Sequence, residues 1–291
     1  MNGRADARLG RRKRTELFFR TLAAVSAAIV LLSLLLILGT ILWKSVPALS
    51  LSMLTQTPRG GFYLGKEGGI LNAIVGSLDL ALGATALAFL LSLPLALYLN
   101  VYKGRASKTA VWTRFFLDVL WGVPSIVYGA FGFVVMLALG LRASLLAGIL
   151  TVALLELPIM TRAIDEVMRL VPRELTDASA SLGATRFETA LKVLVRQSAP
   201  GILTGVLLAF GRGIGDAASV LFTAGFTDRV PASLADPAAT LPLAIFFQLG
   251  TPFPEVQQRA YASAAVLTLI ILLISLAGRA MSRKVTRHVV K

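Results

Sequence analysis

An all-α, polytopic membrane helix bundle with six transmembrane helices is the fold class that this sequence predicts. Three observations carry it. Hydrophobic residues make up 56% of the chain and the mean hydropathy is +0.77, well above what a soluble core requires. Uncharged apolar runs recur at lengths of about 20 residues, enough to cross a bilayer. Lys and Arg fall unevenly between the segments that join those runs. There is no cysteine, which excludes disulfides, thiolate catalysis and cysteine metal sites, and the single histidine, His288, lies in a basic tail.

The first run, Thr21 to Trp43, follows a strongly basic start that includes Arg11, Arg12, Lys13 and Arg14. It is too long for a signal-peptide core and lacks a small-residue cleavage site, so it reads as a retained anchor with a cytoplasmic amino terminus. A glycine-containing external stretch leads to a second run, Ile70 to Val101. There Asn72, Gly76, Asp79 and Gly83 share one face, a pattern suited to close helix packing in lipid, with Asp79 read as a hydrogen-bonded packing residue. A basic loop with Lys103, Arg105 and Lys108 precedes a third run, Val119 to Leu141, that contains Pro124. A tight external hairpin at residues 140–143 opens a fourth span from Ser144 to about Met160.

The fifth span is expected from Gly201 to about Phe226 and the sixth from about Ala260 to Gly278, separated by a proline-rich external stretch. Within that stretch LPLAIFFQLG is too short to cross and is expected to lie at the interface or tuck back into the protein. With both ends inside, 22 of the 29 Lys and Arg fall on cytoplasmic segments and six on external ones, the last being Arg212 within the fifth span. That bias fixes the orientation. The net charge of +14 is thereby explained by topology and anionic lipid, with no need for a nucleic-acid partner.

In the fifth run Arg212, Asp216, Ser219 and Thr223 recur at spacings of four, three and four, one polar stripe on an apolar helix. A mid-membrane arginine costs on the order of 3 kcal/mol on insertion scales, so it must face protein or water and have a partner. Two readings fit: an Arg212–Asp216 ion pair that fixes packing, or an arginine whose planar fork serves an anion crossing the membrane, held by Asp216 until the anion arrives. Gly201, Gly205, Gly211, Gly213 and Gly215 permit close approach or local unwinding in the same place. Glu156, ahead of Pro158, and Arg162 are placed near the cytoplasmic end of the fourth span, with Arg162 either in the pathway or reaching for lipid head groups.

Residues 172–200 form a polar, helix-coded segment between apolar runs. Pro172 suits a first helical turn, Leu175, Ala178 and Leu182 follow at helical spacing, and Gly183 is placed to stop the helix. Thr185 with Glu188 reads as a capping box for a second helix. Asp177, Ala178, Ser179 and Gly183 resemble the EAA-x3-G signature of bacterial ABC importer permeases, with Asp in place of Glu, Ser179 in place of the second alanine, and Arg196 where many members carry a proline. In that family this segment is the coupling helix that sits in a groove of the ATPase subunit.

GGILNAIVGSL at 68–78, GILTGVLLAFGRGIGDAASVLFTAGF at 201–226 and LPLAIFFQLGTPFPEVQQRAYA at 241–262 resemble more narrowly the A-type permease subunits of phosphate-specific (Pst) ABC importers. The resemblance covers about residues 65–280. It implies a type I importer permease fold with residues 172–196 as coupling segment, beside a homologous second permease, two ATP-binding subunits that carry ATP and Mg, and an extracytoplasmic phosphate-binding protein. Coupling would fall to Leu175, Asp177, Ala178, Ser179, Leu182 and Gly183, and the substrate pathway to Arg212, Asp216, Ser219, Thr223, Arg162 and Glu156. The sequence holds no P-loop, no metal-ligand cluster and no nucleophile with a base, so ATP chemistry belongs to another chain and no cofactor is expected on this one. The chain divides into residues 1–69, a five-helix permease core at 70–281 and a basic tail at 282–291. An importer for phosphonate or molybdate and an ion-coupled secondary transporter are the alternatives.

Overall fold

The structure, a computed structural model, describes residues 3–59, 67–103 and 107–285. Lys66, Arg105, Arg287, His288 and Lys291, counted above in the loops and tail, lie outside the described residues.

The elements in chain order are α1 (Gly3–Ser45), α2 (Leu51–Thr55), α3 (Leu71–Leu97), α4 (Lys108–Trp121), α5 (Ser125–Ala138), α6 (Leu145–Arg169), α7 (Arg173–Ser181), α8 (Arg186–Glu188), α9 (Arg196–Ile214), α10 (Leu241–Leu249) and α11 (Pro254–Val285). Two π-helical stretches extend this set: Tyr98–Tyr102 continues α3, and Thr189–Val195 joins α8 to α9. A two-residue antiparallel pairing, Pro58 with Gly68 and Arg59 with Glu67, precedes α3. Among the described residues five helices are long and apolar enough to cross a membrane, and the pair α4–α5 makes a sixth if counted as one broken span.

Side-chain caps fix several starts. Ser107, Ser144 and Thr240 each accept the backbone N–H three residues on, and Pro242 sits in the first turn of α10 where no partner for its nitrogen is needed. Of the two placements open to this stretch the structure has the second: α10 tucks back, with Leu241 and Ala244 buried against α3 and α11 and Leu243 in the cluster of Leu80 and Ala84. The core has two storeys. Leu80, Ala84, Ile149, Val152, Val220 and Ala224 form one, and Ala88, Met160, Ile164, Met168, Leu194 and Ala209 the other. Alanines on α3 at both levels let α6 approach closely, the packing that lipid favours. By contrast α1 lies at the edge against α11, where Lys44 Nζ donates to the Tyr261 hydroxyl at 3.3 Å.

Three spans differ from expectation. The third is not one run from Val119 to Leu141: its helix begins at Lys108, stops at Trp121, and resumes at Ser125 after a 98° bend. Pro124 has no N–H to donate and its ring keeps Val123 out of the helical region. The fourth runs on to Arg169, which moves Glu156 from near the helix end to its middle. The fifth is displaced most. It begins in the polar segment, running unbroken from Arg186 to Ile214, and stops twelve residues short of Phe226. Arg196 leaves the helix uninterrupted there; Gly211, Gly213 and Gly215, poor helix formers all, end it early. Residues 215–240 are then turns and irregular chain.

A buried charge network braces the bent pair. Arg114 on α4 donates through Nε and Nη2 to Asp165 on α6 at 2.8 and 2.9 Å, and Asn100 Nδ2 donates to the same carboxylate at 2.8 Å. The side chains of Arg114 and Asp165 are 9% and 0% exposed. Without Arg114 the buried Asp165 keeps Arg162 and Asn100 but loses its closest cation. Arg114→Met is therefore expected to lower stability by about 1–3 kcal/mol, and Arg114→Met combined with Asp165→Leu to recover part of it, as read by thermal unfolding in detergent.

Candidate functional site

The end of α9 is held by one carboxylate. Asp216 Oδ1 accepts from Arg212 Nη1 at 3.1 Å, while Oδ2 accepts the backbone N–H of Ser219 at 3.1 Å. Helix end and following turn are thereby stitched together. Asp216 is 6% exposed but the Arg212 side chain is 45% exposed, so the acid is buried and the guanidinium stands open. Among the described residues only one of its five donors is engaged, leaving the rest of the fork for an oxyanion.

The expected polar stripe on one helix is thus corrected: Asp216, Ser219 and Thr223 lie beyond the helix end, because the glycines stop α9 at Ile214. The spacing still brings neighbours together as tight turns, with Thr223 Oγ1 donating to the Ser219 carbonyl at 3.3 Å. Ser219 and Thr223 are fully buried and so stand behind the arginine rather than beside it on an open face. Ser219 Oγ has no hydrogen-bond partner among the described residues.

Glu156 projects from mid-α6 into the same layer. It is completely buried, and neither carboxylate oxygen has a hydrogen-bond partner among the described residues. Its Oε1 occupies the space a side chain at Gly213 would need, so α9 can lie against it only because position 213 has no Cβ. A buried ionisable group inside a membrane bundle marks a functional site by default. Its mid-span depth, next to the residue after Arg212, was hidden from the sequence by the underestimated length of α6.

Arg162 joins the charge network between α4 and α6. Its Nε donates to Asp118 on α4 at 2.6 Å and its Nη1 to Asp165 at 3.3 Å, adding a second arginine to the α4–α6 brace. Sequence reasoning missed the network, although a signal was present: Arg114 and Asp118 stand four apart on an apolar helix, and Asp165 follows Arg162 by three. Asp79 also differs from its reading as a packing residue. It is exposed on α3 and makes no hydrogen bond or ion pair among the described residues.

The α7–α8 element closes as its residues dictate. Pro172 is the N-cap of α7, and Gly183, at φ +81°, reverses the chain after it. Ala184 N–H bonds to Ser179 C=O and Gly183 N–H to Ala180 C=O, the paired bonds of a Schellman turn. The Thr185–Glu188 capping box forms in both directions. Leu175 faces the lower core and Ser179 Oγ meets Thr189 Oγ1 at 2.9 Å, while Asp177, Ala178 and Leu182 face out. The proposed stripe therefore splits: its start packs inward, and Leu182, 88% exposed, projects with Phe187, 61% exposed, from the tip.

Comparison with known proteins gives this arrangement a context. The family model for the binding-protein-dependent transport system inner membrane component matches residues 92–291. The chain is 36% identical over 259 residues to the phosphate transport system permease protein PstA of Haemophilus influenzae, covering 89% of this chain and 90% of that one. It is 36% identical to the protein of the same name from Yersinia pestis, covering 86% and 84%. Among solved structures, the inward-facing MetNI methionine ABC transporter superposes with a TM-score of 0.60 at 19% identity, covering 75% of this chain and 96% of that chain. A bacterial ABC transporter involved in alginate import superposes at 0.54 with 16% identity, covering 92% and 99%. At those identities the likeness speaks for the fold.

The Gly213–Glu156 contact gives a paired expectation. Gly213→Ala should destabilise by about 1–3 kcal/mol through overpacking. Gly211→Ala, which meets nothing within 4 Å, should be neutral or stabilising. Adding Glu156→Ala to Gly213→Ala should restore the loss, as measured by thermal unfolding of the purified protein.

Proposed function

This chain belongs to the family of binding-protein-dependent transport system inner membrane components, and we propose that within it the chain is the membrane permease of an ATP-driven importer of inorganic phosphate. The observation that carries the reading is the half-open guanidinium of Arg212, tethered by a single bond to the buried Asp216. Phosphate presents oxygens that match the free edge of that fork, in a setting where charge-assisted hydrogen bonds are strongest. The named phosphate permeases among its relatives support the choice of anion.

Movement reaches this site through one rod. The helix that begins at Arg186, beside the α7 turn, continues to Ile214 and carries Arg212 in its last turn. Its 29 residues make it about 43 Å long at the usual helical rise. A partner ATPase that shifts the α7–α8 tip, gripping Leu182 and Phe187, therefore shifts Arg212 with it. ATP and Mg reside on that ATPase, and two such subunits work with this chain and a homologous second permease. Leu175, Asp177, Ala178, Ser179 and Gly183 shape and seat the coupling turn rather than all contacting the ATPase.

The second permease also accounts for Asp79. A lone acid exposed at that level of α3, beside outward-facing Leu82 and Leu90, is costly against lipid and is covered by protein or lines the water-filled passage. Both termini and the α7–α8 tip face the cytoplasm in this arrangement, residues 70–281 form the moving core, and an extracytoplasmic phosphate-binding protein delivers the anion to the opposite end. Ser219 and Thr223 hold the turn behind the arginine, while Arg162 keeps α4 and α5 against α6 as the core moves.

The test is uptake of labelled phosphate by vesicles containing the complete complex. Arg212→Ala should cut uptake at least tenfold with assembly intact, and Arg212→Lys, which keeps charge but not the fork, should retain part of it. Unchanged uptake in Arg212→Ala would remove the arginine from the pathway.

A further inference from the structure

A cavity of about 630 Å³ at the α7 end of the bundle has no part in the pathway described above. Three regions far apart in sequence build its wall: the end of α3 and the chain after it with Asn100 and Lys103, the coupling helix with Arg173 and Asp177, and the start of α8 with Arg186. Its size falls within the range of small-molecule sites.

Its charges are unbalanced in an unusual way. Lys103, Arg173 and Arg186 each lack an ion-pair partner among the described residues, and Asp177, the single acid in the wall, is equally unpaired. Some cations at this end find acids, since Arg114 and Arg162 share Asp165, Lys192 meets Glu188 at 3.0 Å, and Arg169 meets Glu166 at 3.8 Å, whereas Lys108 and Arg196 are as unpaired as the three in the wall among the described residues. Lys103 Nζ has only the Tyr98 ring, 5.8 Å from its centroid. Three cations converging on one concavity repel one another unless an anion joins them.

A second observation concerns the inner wall. Asn100 spends its amide on the Ala96 carbonyl and on Asp165, while its Oδ1 is buried with no hydrogen-bond partner among the described residues. A ligand that combines negative oxygens with a hydroxyl would meet both needs. Hydrogen phosphate does so through its own P–OH, and a phosphoglycerol head group through its glycerol hydroxyls.

We propose that this cavity is a cytoplasmic binding site for a phosphate-bearing anion, which ties the coupling turn to the junction between α3 and α4. The placement on the cytoplasmic side and the consequence for coupling rest on the importer reading; binding itself does not. The ligand clamps Arg173 and Arg186 on the moving element to Lys103 on the stationary one. Occupancy thus restrains the tip of the rod that carries Arg212.

The experiment uses the purified complex in nanodiscs, read by phosphorus NMR of bound phosphate, lipid retention in native mass spectrometry, and amide hydrogen exchange over residues 173–186. One arm offers inorganic phosphate in phosphatidylcholine discs; the other offers phosphatidylglycerol with no free phosphate. Binding and slowed exchange are expected in at least one arm, and which arm responds identifies the source. Combined Lys103→Gln, Arg173→Gln and Arg186→Gln should weaken that binding at least tenfold and abolish the slowing; single Arg173→Gln and Arg186→Gln each should give part of the loss. Arg212→Ala should leave the slowed exchange over residues 173–186 unchanged, which separates this site from the transport pathway. Equal slowing of exchange in the wild type and the triple variant in both arms, loss of the slowing through Arg212→Ala instead, or slowed exchange that follows the ATPase subunit and ignores both anions would each overturn the proposal. Because no transport is measured, failure of phosphate uptake and failure of this site are independent results.

Discussion

Irregular backbone inside a membrane bundle must have its polar groups satisfied by protein, and that constraint governs this structure. Residues 215–240 do not form a helix; their two ends pack into the core beside α3 and α6 at Val220, Ala224 and Ala238, and the chain between 229 and 237 is mostly exposed. Their carbonyls are met by donors from elsewhere: Ser144 N–H bonds to Thr223, Leu145 N–H to Asp236, Leu146 N–H to Leu234, and the Asn72 amide to Thr227. The amino end of α6 thus gives three of its unpaired N–H groups to this segment instead of to solvent. Ser77 Oγ accepts the N–H of Leu241 and so fixes where α10 begins. The polar residues Asn72 and Ser77 on α3 find their reason here, as acceptors and donors for chain that no helix could satisfy.

With that segment anchored, the end of α9 becomes a defined point. Asp216 is buried because the turn after it is buried, and it holds Arg212 from the protein side while leaving the rest of the guanidinium open. Glu156 and Gly213 set how close α9 lies to α6. From Arg186 onward α9 and its π-helical lead are continuous, so its far end shares the position of the coupling turn. A continuous rod with a half-open arginine at its tip, beside a braced α4–α6 pair, is a mechanical arrangement suited to alternating access.

Much of this was legible in the sequence because local chemistry decided it. The turn at Gly183 and the Thr185–Glu188 capping box follow from residue types at fixed spacing, and the structure has both, whereas the length of the α10 stretch left two placements open. The first, second and sixth spans are long apolar runs and fall where hydropathy puts them. The failures share a physical cause. Apolar residues continue past Ile214, so hydropathy could not see that three glycines and the Asp216 carboxylate end the helix there. Pro124 was visible, yet the tether that holds α4 on α6 needs Arg114 and Asp165 to meet across 51 residues. Glu156 and Gly213 are neighbours only because α6 and α9 pack, a fact no single helix encodes.

The central claim is that this chain passes phosphate through an arginine-lined path by ATP-driven motion. It is tested most directly by ATP-dependent uptake of labelled phosphate into vesicles with and without the chain, the binding protein supplied outside, and sulfate, molybdate and phosphonate offered as competitors. The account predicts that uptake is lost without the chain and is competed only by phosphate or its close mimic arsenate. Unchanged phosphate uptake in a strain with no other phosphate importer, or uptake that proceeds without ATP, would contradict it.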